Sequence, residues 1–123
     1  MSLDIHQFDD SKYINLETYK KNGKVVNTPV WFVIEDKKIF VITRSGTGKV
    51  KRLRNNPNVR ISPCNFRGKL KGERVTGTAS FQDSLEYERI MNLRNKKYGF
   101  QSKLASLFTI GKGKFILISI KII

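Results

Sequence analysis

The 123-residue chain contains one cysteine, one histidine and one tryptophan. Cys64 has no partner for an intrachain disulfide and no companions for a cysteine-rich metal site. His6 stands near the N-terminus, so neither zinc catalysis nor a Ser-His-Asp triad is expected. Acid is scarce as well: 10 Asp and Glu face 24 Lys and Arg, a net charge of +14. Such a bias favours polyanions, phosphorylated ligands or acidic surfaces and is silent about fold. No run approaches the roughly 18 apolar residues of a membrane span. The opening MSLDIHQFDD is acidic and lacks the basic-then-apolar order of a secretory leader. A cytoplasmic protein with no membrane partner is the expectation.

With 39% hydrophobic residues the chain can build one modest core. Residues 1–10 read as an N-terminal extension and 11–123 as the domain. From Ser11 the pattern is that of short strands. SKYINLETYK (11–20) alternates Tyr13, Asn15, Glu17 and Tyr19 with Ile14, Leu16 and Thr18. Asn22-Gly23 predicts a two-residue hairpin turn. VVNTPVWFVIE (25–35) follows as one strand, with Pro29 marking an edge or a bulge. Glu35-Asp36-Lys37 turns into KIFVIT (38–43). Val50 and Leu53, three apart in GKVKRLRNN, then predict a short helix with a cationic outer face, stopped by Asn55-Asn56-Pro57. NVRISPC (58–64) and RVTGTASFQ (74–82) are further strands. Asp83 and Glu86 suggest a capping box for a helix with Leu85, Ile90, Met91 and Leu93 on its apolar face, ended by Gly99. SKLASLF adds a second short helix. KFILISIKII closes the chain as a strand apolar on both faces, which needs cover on both sides. The sum is a mainly β protein with minor α, a small antiparallel barrel of about six strands.

The most charged stretch is TRSGTGKVKRLRNNP (43–57). Five cations fall in residues 44–54 beside two glycines and three hydroxyls. A strand ending at Thr43 would lead through Ser45, Gly46, Thr47 and Gly48 into the helix, whose first turn offers backbone N–H groups and the positive end of the dipole to an anion. Lys49 would stand in that turn. The same residues also suit a solvated basic connector or a polyanion backbone. They are not a P-loop, since Val50 follows Lys49 and no glycine stands five before Gly48.

TPVWF (28–32), FVIT (40–43), SGTGKVKRLRNNP (45–57) and ERVTGTA (73–79), in this order and spacing, resemble the flavin-binding split-barrel proteins related to pyridoxamine 5′-phosphate oxidase. The resemblance extends over about residues 11–121 and is closest to the branch that uses the deazaflavin coenzyme F-420. It implies a homodimer of six-stranded, Greek-key split barrels with two cofactors at the interface, and an oxidoreductase that passes a hydride to or from a small organic substrate. The implied cofactor is FMN or F-420. Asn27, Thr28, Pro29, Val30 and Trp31 match a strand that borders the flavin ring. Ile42 and Thr43 match the strand end at the cofactor phosphate, with Ser45, Gly48 and the phosphate ligand Lys49 after it. Arg74, Gln101 and Ser102 match contacts made from the second subunit. The oxidases themselves carry arginine where Asn27 and Gly48 stand and a C-terminal substrate-binding tail that this sequence lacks. A basic groove of Lys51, Arg52, Arg54, Arg67, Lys69 and Lys71 would suit a polyglutamate tail.

No catalytic side chain is singled out, because in such enzymes the cofactor carries the hydride chemistry. Trp31 reads as part core and part pocket wall, and Cys64 as a small buried apolar residue. Two other functions compete. One is a nucleic-acid-binding small barrel, with bases stacked on Tyr13, Tyr19, Trp31, Phe32 and Phe40. The other is a flavin-binding protein without turnover.

Overall fold

A computed structural model describes residues 3–82, 84–99 and 114–123. The period-2 pattern of YINLETY becomes β1 (Tyr13–Tyr19), with Ile14 and Leu16 in the core and Asn15 and Glu17 on the opposite face. A single helical turn, α1 (Leu3–His6), precedes it. The segment expected as an extension contributes to the core: Ile5 and Phe8 pack there, and Phe8 meets Phe32 edge-on with ring centroids 6.1 Å apart.

After β1 come β2 (Val25–Val30), β3 (Val33–Glu35), β4 (Lys38–Arg44), α2 (Gly48–Asn55), β5 (Asn58–Cys64), β6 (Val75–Gln82), α3 (Ser84–Tyr98) and β7 (Phe115–Ile122). All pairings are antiparallel, in the order β2-β1-β5-β6-β7-β4-β3. Seven strands replace the six expected, because residues 25–35 are not one strand. β2 pairs with β1 and β3 pairs with β4, at the two ends of that order. Only Trp31 and Phe32 separate them, and three peptide links reach about 11 Å at most. The first and last strands are therefore neighbours, and the sheet curls into a barrel. Pro29 sits on an outer strand of the ladder, where proline is tolerated.

The hairpin turns also differ from expectation. At Lys21-Asn22-Gly23 only Gly23 has positive φ (85°), and its N–H bonds to Lys20 O at 2.9 Å. This is a three-residue turn with glycine in the left-handed position, not the two-residue turn read from Asn22-Gly23. The two-residue form occurs instead at Asp36-Lys37, where φ is 51° and 63° and Glu35 pairs with Lys38.

The last strand finds cover on both faces. Ile118 and Ile120 point into the barrel beside Ile39, Val41 and Ile61. Leu117 packs outside under α3 with Val33, Phe40 and Ile90. The apolar face of α3 is Tyr87, Ile90 and Leu93. Leu85, expected on that face, is 85% exposed. Gly99, at φ 55°, ends the helix, its N–H bonding to Asn95 O at 2.7 Å. The Asp83 cap and the helix expected over SKLASLF lie outside the described residues. Among the described residues no helix is long and apolar enough to cross a membrane.

Candidate functional site

The ladder between β3 and β4 stops at Val33↔Phe40. Continuing that register would set Trp31 opposite Ile42 and Val30 opposite Thr43. The chain has already turned away at Trp31, however, and Val30 belongs to the ladder with β1. The barrel is open here. One lip is the outer edge of β2 with Asn27, Thr28, Pro29 and Val30, and the other is the end of β4 with Ile42 and Thr43. Among the described residues both are edges, so half of the backbone N–H and C=O groups of β2 face away from any described strand. Trp31 and Ile42 line one crevice with Phe32, Val33, Phe40, Ile90 and Arg94.

Alternation decides what each lip presents. Asn27 shares a face with Glu17 and Asn15, and its Oδ1 accepts from Asn15 Nδ2 at 2.9 Å. Val30 turns the other way and packs on the core. Thr43 is buried, while Ile42 faces outward against α3.

The turn from β4 into α2 is built by backbone bonds. Ser45 N–H reaches Lys114 O at 2.8 Å, and Thr47 N–H reaches Arg44 O at 3.2 Å. Thr47 is the N-cap residue, but its hydroxyl donates back to Arg44 O at 2.9 Å and does not cap the helix. No acidic residue occupies the first turn. Among the described residues the first turn of α2 thus has neither a cap from the Thr47 side chain nor an acid of its own, in the eight-residue helix anchored by buried Val50 and Leu53. At Gly48 a Cβ would lie 2.8 Å from the tip of the Arg52 side chain, whose Nε donates to Thr18 Oγ1 at 2.7 Å, so a larger residue there would displace that guanidinium. Lys49 stands half-buried in the same turn. Ser45, Gly48 and Lys49 are therefore together at the end of the β4 lip.

Arg74 is elsewhere. It starts the run into β6 on the face that carries Glu17, whose buried carboxylate binds Arg60 and lies 3.5 Å from Arg74 Nε. Tyr19 donates its hydroxyl to the same carboxylate at 3.1 Å. Gln101 and Ser102 lie outside the described residues. The basic residues expected as one groove are divided as well. Lys51, Arg52 and Arg54 are on α2 at the start of β5, and Arg67, Lys69 and Lys71 follow its end, about 20 Å away along a seven-residue strand.

The structure adds a feature that the sequence did not announce. α3 clamps the Trp31-Phe32 crossing. The Tyr98 hydroxyl accepts from Phe32 N–H at 2.9 Å and lies 2.7 Å from Lys12 O and 2.9 Å from Phe32 O. Its ring stacks on Trp31 at 4.2 Å, 8° from parallel. Lys97 Nζ donates to Phe32 O at 3.0 Å and sits 3.4 Å above the Phe32 ring. The Arg94 guanidinium lies 5.1 Å over Trp31. Burial pushes the Tyr98 phenol up, holds the Arg94 guanidinium below its ordinary range and lowers the Lys97 ammonium to about 8. The i, i+4 spacing of Arg94 and Tyr98 signals that they share a helix face; nothing in the sequence says that this face meets Trp31. Cys64 is buried, and desolvation raises its thiol, with Lys71 opposing.

Several solved structures share this architecture. HutZ, the heme storage protein from Vibrio cholerae, aligns with a TM-score of 0.73 and 18% identity over 96% of this chain and 86% of that one. General Stress Protein 26 from Bacillus anthracis gives 0.67 and 21%, over 98% and 88% of the two chains. An FAD-binding protein from Mesorhizobium loti gives 0.66 and 14%, over 95% and 83%. At these identities the likeness is one of fold. No curated protein sequence matches the chain. The profile of the pyridoxamine 5′-phosphate oxidase family matches residues 5–121. With that match over nearly the whole length, on a barrel open between β2 and β4, the chain belongs to the pyridoxamine 5′-phosphate oxidase family.

Proposed function

We propose that the protein binds a flavin-type cofactor, FMN or F-420, in the opening between β2 and β4, and acts as an oxidoreductase on a small organic substrate. The observation that carries this reading is the start of α2: a helix N-terminus without side-chain cap or acid, with Gly48 and Lys49 in its first turn, directly after the β4 lip. A phosphate there would accept from backbone N–H groups and from the ammonium of Lys49. The edge of β2 from Asn27 to Val30, unpaired among the described residues, would supply backbone partners for a ring system lying in the opening. When bound, the cofactor supplies the hydride chemistry; this chain binds and orients it and keeps water from it. We propose a homodimer in which Arg74, Gln101 and Ser102 of one subunit complete the cofactor site of the other. Family membership and the FAD-binding neighbour support a flavin. The heme-storage neighbour keeps a binding protein without turnover as the second reading.

Nucleic-acid binding is weakened by the fate of the aromatic residues. Phe32 and Phe40 are buried and Trp31 is stacked on Tyr98, so three of the five proposed stacking platforms are engaged within the fold. The division of the cations between the two ends of β5 also interrupts the stripe that a polyanion would follow.

Titration with FMN and with F-420, followed by quenching of cofactor fluorescence and run beside sedimentation analysis, tests the reading. One cofactor per subunit on a dimer is expected. Indifference to both cofactors, together with tight single-stranded DNA binding, would overturn it.

A further inference from the structure

Cations in this molecule are paired where acids are at hand. Glu17 holds Arg60 and lies near Arg74, and Arg89 lies between Glu35, 2.6 Å away, and Glu86. With 24 cations to 10 acids most have no such partner; Arg94 and Lys97 are set apart by lying against the Trp31-Phe32 crossing. Among the described residues neither has a carboxylate within salt-bridge distance, and the stretch 100–113 that follows α3 contains no Asp or Glu. What Arg94 touches is the Trp31 ring and Met91 Sδ at 3.7 Å; what Lys97 touches is Phe32 and Tyr98. Arg94 is half-buried, and Lys97, an exposed residue, has its ammonium against the Phe32 ring and carbonyl; loss of hydration there disfavours the charged form of each. A desolvated cation without an acid is unfavourable for folding alone, and such groups gather where a ligand supplies the missing charge.

The surroundings specify what that ligand looks like. Arg94 sits on the rim of the crevice walled by Trp31, Phe40, Ile42 and Ile90. The crevice floor is closed by these side chains, so a ligand would lie along the rim, against the part of Trp31 left exposed beside Tyr98 and Arg94. A guanidinium presents a planar fork of donors matched to a carboxylate, and the neighbouring wall is flat and apolar. We infer that the seam between α3 and the Trp31-Phe32 crossing is a binding site for a small planar carboxylate, its acid on Arg94 with Lys97 beside it and its apolar body against Trp31 and Ile42. This deepens the reading above, on which it rests only for calling the carboxylate a substrate: Ile42 belongs to the β4 lip, so a molecule held here lies at the edge of the opening.

The probe is benzoate, with neutral benzamide as its isostere. The chain has one tryptophan, so the single indole N–H resonance of Trp31 reports directly on the site. Benzoate is expected to shift that resonance saturably, and benzamide to leave it in place. Arg94→Gln should weaken benzoate at least about tenfold, and Arg94→Lys should restore part of the loss, since it keeps the charge but not the fork. Lys24→Gln, an exposed cation in the turn between β1 and β2, should change nothing. Equal binding of benzoate and benzamide by the unaltered protein overturns the inference without recourse to any variant, as does unchanged benzoate affinity in a folded Arg94→Gln protein. A protein that takes up flavin but ignores benzoate loses this inference alone. One that binds benzoate but no flavin loses only the cofactor reading.

Discussion

Replacing Tyr98 by Phe tests the clamp on the barrel crossing. The variant keeps the ring, and hence the stacking on Trp31 at 4.2 Å, and removes only the hydroxyl. That oxygen is the acceptor for the N–H of Phe32, a residue 2% exposed that lies between two strands and outside both ladders. The hydroxyl has one proton to give, shared between the carbonyls of Lys12 and Phe32, and the Phe32 carbonyl keeps Lys97 as a second donor. The variant therefore strands one buried N–H, worth about 1–3 kcal/mol, and loses one further net hydrogen bond of about 1 kcal/mol. A total of about 2–4 kcal/mol is expected from urea denaturation. With about 2.1 cal/mol/K of unfolding entropy per residue, a 123-residue chain should lose about 8–15 °C in Tm. Both measurements are made without ligand, so that binding does not mask the change. A loss under about 0.5 kcal/mol would mean that the Phe32 amide finds another partner and that α3 does not pin the crossing.

Three further outcomes follow from the geometry. Lys49→Ala should weaken FMN or F-420 binding by about 1–3 kcal/mol in the fluorescence titration, with the thermal midpoint of the ligand-free protein little changed. Phe8→Ala removes a fully buried ring from the core and should destabilise by about 3–5 kcal/mol in urea, whereas a loose N-terminal extension would give almost none. For Lys97, the folded-state pKa of about 8 lies below the ordinary 10.5, so the unfolded chain binds more protons between these values and stability due to this group rises with pH there. The Phe32 carbonyl and ring, which favour the charged form, oppose the shift but not its sign. Lys97→Met should therefore lose stability relative to the parent as pH rises from 8 to 10.5. An advantage that grows over that window would refute the assignment.

Local patterns were legible wherever one face of a short element is buried. Val50 and Leu53 gave α2, the alternation of YINLETY gave β1, and the two-sided apolarity of FILISI foretold a strand covered on both faces. Ser45 to Lys49 are neighbours in the sequence, and the structure keeps them in the one turn between β4 and α2. The misreadings share one cause. VVNTPVWFVIE is continuously β-favouring, so no local signal reports that its two halves pair with opposite ends of the sheet; ring closure decides that. Turn chemistry misled for a related reason: Asp36 and Lys37 accept positive φ because both flanking strands demand it, while Asn22 is released from it by a longer loop.

Composition by itself determined the exclusions, the basic character and the kind of elements, because these depend on side-chain chemistry and on neighbours a few residues away. Only the tertiary structure decided where the barrel opens, that Glu17 holds Arg60 and lies near Arg74, and that Arg94, Lys97 and Tyr98 converge on Trp31. Those contacts join residues more than forty positions apart. What brings them together is the closure of a seven-stranded sheet and the packing of α3 across it, and neither is written in any short stretch of the chain.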